Sequence, residues 1–125
     1  MEKHEIKNFF EANERKINER YVELMMEVMP NYEGFGDQTE NKYRAGGNFL
    51  TPVIQTALMT DAPALMDFQA AWSTDRLPHY GLGMRRLREN LTIYKQIIEE
   101  FYPEELKAKA KTLVDRLVGQ LPEAN

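Results

Sequence analysis

Apolar residues spaced by three, four or seven positions mark three long stretches of this chain. That spacing constrains the fold more than any other feature. Over residues 3–29 the series is Ile6, Phe10, Ile17, Tyr21, Leu24 and Val28, with Phe9 and Met25 beside it. Near the centre it is Met84, Leu87, Leu91, Tyr94, Ile98 and Phe101. Over residues 103–121 it is Leu106, Ala110, Leu113, Leu117 and Leu121, flanked by Val114 and Val118. An α-helix turns once in about 3.6 residues, so each series falls on one helical face. No stretch alternates with period two for long enough to make a strand, and no repeat of solenoid length is present. The pattern predicts an all-α domain of five to seven helices, globin-like or an irregular bundle, with long first and last helices.

Breaking residues place the ends. Pro30 and Asn31 stop the first helix, and residues 30–38 form a loop from which Phe35 plugs the core. A second helix, capped by Asp37 or Thr39, is predicted over 39–59 with a break near 46–52. There each interior Gly costs about 1 kcal/mol relative to Ala, and Pro52 lacks a backbone donor. Gly46 and Gly47 also permit close approach of another helix or of a ligand. Thr60 and Asp61 are expected to cap a helix over Ala62–Trp72, with Leu65, Met66, Phe68, Gln69 and Trp72 on a mostly buried face. Residues 79–83 read as a turn. A helix then runs from Leu82 or Gly83 to about Tyr102, and the last from Pro103 to about Leu121. One domain is expected over 1–121, with residues 122–125 a disordered tail.

At about 1.5 Å per residue the first helix is roughly 40 Å long, more than the width of a compact domain of this size, so its first turns are expected to project onto a second subunit. Asn13, on the stripe between Phe10 and Ile17, either fixes the register of a helix pair or faces solvent at the stripe's edge.

The chain of 125 residues contains no cysteine, which excludes disulfides, thiolate metal sites and cysteine nucleophiles. Its first residues hold no apolar segment of the kind a secretory leader needs, and no apolar run approaches the length of a membrane span. A cytoplasmic protein without a membrane or nucleic-acid partner is therefore expected, the latter also because the net charge is −4. The charge is uneven. Residues 1–40 carry five Lys or Arg against ten Asp or Glu, whereas residues 75–95 carry Arg76, Arg85, Arg86, Arg88 and Lys95 against Asp75 and Glu89. These are two solvated faces, or two regions that meet within a monomer or across a dimer.

Catalytic signatures are missing. The two histidines, His4 and His79, lie far apart, and there is no His-Glu-x-x-His, phosphate-binding loop or Gly-x-Ser-x-Gly. Asn90-Leu91-Thr92 matches a glycosylation acceptor, without meaning on an intracellular helix. A non-enzymatic protein without a cofactor is expected, the rivals being a small helical enzyme and a haem- or pigment-binding protein that uses His79 as an axial ligand. The candidate ligand site is Trp72, Arg76, His79, Tyr80, Arg85 and Arg88, an aromatic pair with guanidinium groups suited to an anion or small acid. The structural alternative has Trp72 filling the core and Arg76 bonded to a loop or a carboxylate. Arg85 and Arg88 begin a helix, where the dipole disfavours cations, so an acidic partner such as the first helix, or a bound anion, is expected.

Trp72, Arg76, the turn Gly81-Leu82-Gly83, then Arg85-Arg86-Leu87-Arg88 and Tyr94 resemble the penultimate segment of bacterial N-terminal sensor domains. These are the globin-like, haem-free domains of stressosome RsbR-type proteins and some histidine kinases. The resemblance implies a non-enzymatic sensory or regulatory domain. It also implies a homodimer through the first and last helices and a signalling protein as partner. No ligand residue is carried over, because the family offers no motif to match position by position.

Overall fold

In the computed structural model, which describes residues 1–123, the helices follow the apolar stripes. α1 spans Lys3–Val28, α2 Thr39–Thr60, α3 Leu65–Arg76, α4 Met84–Phe101 and α5 Glu104–Gly119. Single 3-10 turns at Gly36–Gln38 and Leu77–Tyr80 lead into α2 and out of α3. The described residues contain no strand and no helix long and apolar enough to cross a membrane. α1 lies along α2 and against α4, while α5 packs on α3, α4 and α2.

Local chemistry sets the ends. The Glu2 N–H donates to Glu5 Oε1 at 2.9 Å, closing the first turn of α1. Thr39 opens α2: its hydroxyl donates to the Gly36 carbonyl at 2.7 Å and accepts from the Tyr32 N–H at 3.2 Å. Phe35 sits edge-on to Tyr32 and Tyr43, partly buried against the core as expected.

Three boundaries differ from the sequence reading. α2 is unbroken through Gly46, Gly47 and Pro52. Tertiary contacts outweigh the local cost: Tyr43, Leu50, Thr51, Ile54 and Ala57 are buried along one side. Gly47 fits against Tyr21 of α1, whose Cδ2 would stand 2.9 Å from a Cβ placed there. Thr60 and Asp61 close α2 instead of capping α3. Asp61 takes the left-handed conformation at φ 50°, and the Ala62 N–H reaches back to the Ala57 carbonyl. α3 starts later and ends later than Ala62–Trp72, because Ser73 and Thr74 find partners within it. Gln69 Nε2 donates to Ser73 Oγ, and Thr74 Oγ1 donates to the Ala70 carbonyl.

The first turns of α1 do not project. Ile6 and Phe10 are buried in their own chain, and Phe9 and Phe10 meet the Tyr102 ring edge-on at 5.6 and 5.4 Å. Asn13 bonds back to the Phe9 carbonyl. The polar residue that does enter the core is Asn18. It accepts from Thr51 Oγ1 at 2.8 Å, Thr51 bonds Tyr94, and Tyr94 bonds Tyr102, tying α1, α2, α4 and the α4–α5 junction together. Burial pushes the Tyr94 phenol up to about 12, against the lowering effect of its two hydrogen bonds, and raises Tyr102 well above its ordinary value.

Of the tail predicted over 122–125, residues 124–125 lie outside the described residues. The carbonyls of Pro122 and Glu123 accept from the Arg88 guanidinium.

Candidate functional site

Three helices leave a space between them. On α2, Lys42, Tyr43, Gly46, Phe49 and Leu50 follow one another at helical spacing and face it. Gly46 stands at the centre of that face, and a Cβ there would meet no atom within 4 Å. The glycine thus keeps open what a larger side chain would fill. Opposite, α3 contributes Gln69, Trp72 and Ser73, and the 3-10 turn after it contributes Leu77 and Tyr80. α4 supplies Leu87, Asn90 and Leu91 as the inner wall.

The result is a cavity of about 290 Å³, mostly apolar. Its mouth is aromatic: Phe49 is 48% exposed, Trp72 39% and Tyr80 58%. Phe49 and Trp72 stack at 5.4 Å between ring centroids. Its floor is buried, formed by Leu50, Leu91 and Leu117. Tyr43 donates its hydroxyl to the Met29 carbonyl, and burial raises the phenols of Tyr21 and Tyr43.

Two buried residues of the lining are polar, Ser73 and Asn90. Asn90 is only 5% exposed, and its Oδ1 has no hydrogen-bond partner. An acceptor left unpaired in such a place costs about 1–3 kcal/mol. Elsewhere in the core the polar groups of Asn18, Thr51, Tyr94 and Tyr102 are bonded to one another, which singles Asn90 out.

A shallower groove lies outside the Phe49–Trp72 stack. Pro52, Val53, Leu65 and Phe68 line it, and Phe68 is 75% exposed. Phe68 and Trp72 therefore do not belong to a buried face of α3. The buried positions are Met66, Ala70 and Ser73, rotated around the helix from the expected stripe.

The six candidate residues separate into two groups. Trp72 and Tyr80 line the cavity. Arg76 pairs with its neighbour Asp75 at 3.3 Å and is exposed. Arg85 pairs with Glu89 at 3.5 Å, and Arg88 is turned to the carbonyls of Pro122 and Glu123. His79 is exposed on the 3-10 turn and is not among the residues that line the cavity. The guanidinium groups thus do not converge on Trp72. The acidic partner of the α4 arginines is Glu89, which also takes Arg86 at 2.8 Å, rather than a first-helix glutamate. Glutamates of α1 pair instead with Arg20 and Arg44.

Sequence reasoning missed Asn90 and Phe49, and read Gly46 only as a glycine that permits close approach of another helix or of a ligand. Asn90 carries a signal: it lies three residues after Leu87 and four before Tyr94, on the buried side of α4. A polar residue on that stripe asks for a partner.

Comparison with protein-family models, curated proteins and solved structures gives no match. Function has to be argued from the cavity itself.

Proposed function

We propose that this chain is a non-enzymatic, ligand-responsive regulatory domain of the haem-free sensory kind that residues 72–102 resemble, acting in the cytoplasm through contact with a second copy of itself. The observation that carries this reading is the apolar cavity between α2, α3 and α4, closed on one side by the exposed Phe49–Trp72 stack. A cavity of this volume suits a molecule of about a dozen non-hydrogen atoms, on the scale by which about 150 Å³ holds a benzene ring.

Phe49 and Trp72 line both the inner cavity and the outer groove. A ligand that moves the stack changes the exposed apolar surface at the same time, so occupation and self-association are linked through one pair of rings. The apolar stripes of α1, apart from Val28 at its end, and of α5 are buried within the chain. Phe49, Phe68 and Trp72 of α2 and α3 form an exposed aromatic surface available to another copy.

Sedimentation velocity at high micromolar concentration, with and without a saturating aromatic ligand such as 2-naphthol, tests the reading. The expected result is a monomer–dimer equilibrium that the ligand displaces. A monomer in both conditions contradicts it.

A further inference from the structure

We propose that the cavity's ligand is an aromatic carboxylate, its rings among the aromatic side chains and its carboxylate at the rim, paired with the ammonium group of Lys42. This rests on the reading of the cavity as a binding site and goes further by naming the chemistry recognised there. Phe35, Tyr43, Phe49, Trp72 and Tyr80 are among the lining residues, a surface suited to a flat ring. The polar lining residues decide the other end. Asn90 Oδ1 is closed even to water and lies out of a ligand's reach. Gln69 Nε2 donates to Ser73 Oγ at 3.1 Å, so those two groups already have each other. Lys42 is different. Among the described residues that line the cavity, it alone carries a formal charge. It is exposed, and α2 offers it no carboxylate at ion-pair spacing: the positions three and four away hold Gln38, Thr39, Ala45 and Gly46. Glu40, nearby in sequence, is taken by Arg44 at 3.2 Å. An anion at the rim is attracted by Lys42 while it stays partly hydrated, and a cation there is repelled. The span from Lys42 to Phe49 is roughly 10 Å along the axis of α2. Two fused rings and a carboxylate cover most of it, and the flexible lysine stem covers the rest. The positive charge expected of Arg76, Arg85 and Arg88 comes from α2 instead.

Two probes of nearly the same shape isolate the charge: 2-naphthoate, an anion near neutral pH, and neutral 2-naphthamide. Both are titrated calorimetrically at low salt into the natural protein, Lys42→Gln and Lys42→Glu. In the natural protein naphthoate is expected to bind about threefold more tightly or better, the scale of an exposed ion pair, and the preference is expected to shrink as salt is added. It is expected to vanish in Lys42→Gln and to reverse in Lys42→Glu, with naphthamide bound alike by all three proteins. No preference for naphthoate in the natural protein overturns the inference and leaves the cavity reading standing, whether or not the variants fold. A preference that survives in folded Lys42→Gln, or that added salt does not reduce, overturns the role of Lys42. Binding of neither probe up to its solubility limit overturns the cavity reading and the inference with it.

Discussion

Phe49 of α2 and Trp72 of α3 lie face to face, their ring planes 18° from parallel and their centroids 5.4 Å apart. Trp72 is the only tryptophan, so its emission reports on this contact alone. Phe49→Ala is expected to shift that emission to longer wavelength, because one face of the indole becomes wet. The cost in stability should stay below about 1.5 kcal/mol, since both rings are already partly exposed. An unchanged spectrum contradicts the stack.

Adjacent glycines in α2 should respond in opposite senses. Gly47→Ala pushes a methyl against the Tyr21 ring and is expected to destabilise the protein by about 1–3 kcal/mol. Gly46→Ala adds a methyl in open space on a helix and is expected to stabilise by about 0.5–1 kcal/mol. Urea denaturation of the two variants beside the natural protein reads the difference.

Gly34 and Gly81 touch backbone to backbone, pinning the α1–α2 loop against the turn before α4. A side chain at either would overlap the other's carbonyl, and Gly81 also holds φ 89°. Gly81→Ala is expected to cost about 2–4 kcal/mol, whereas Gly36→Ala, with φ 58° but nothing nearby, should cost about 1 kcal/mol. Equal losses in the two variants contradict the close approach.

The buried phenols fix the behaviour in alkali. Tyr94 is held neutral in the fold until about 12, against 10.0 when exposed, and Tyr21 and Tyr102 are displaced in the same direction. Raised folded values mean that their contribution is fully present below pH 10 and is lost as pH climbs through 12. Circular dichroism should show a cooperative loss of helix in that window, accompanied by tyrosinate absorption. Ionisation of all six tyrosines by pH 11 with the helices intact contradicts the burial.

Much of the fold was legible because it rests on spacing. The stripes of α1, α4 and α5 are buried much as written, from Ile6 and Phe10 to Leu117 and Leu121. Expectations failed where a local preference met a tertiary contact. Pro52 and two glycines argue for a broken α2, yet the packing of Gly47 on Tyr21 and the bonds of Thr51 accompany an unbroken helix. On α3, Phe68 and Trp72 read as core by residue type, while Met66, Ala70 and Ser73 are the ones inside. Of the six candidate residues, Trp72 and Tyr80 line the cavity. The arginines misled, because sequence proximity says nothing of direction, and each finds a nearby carboxylate or carbonyl instead.

Occupation of the cavity is tested most directly by calorimetric titration of 2-naphthol into the natural protein and into Gly46→Leu. The substitution places a side chain at the centre of the lining face of α2 without a clash at its Cβ. The expected result is saturable one-site binding to the natural protein and at least tenfold weaker binding, or none, to a folded Gly46→Leu. Equal binding to the two proteins, or none to the natural one, contradicts a ligand site between α2, α3 and α4.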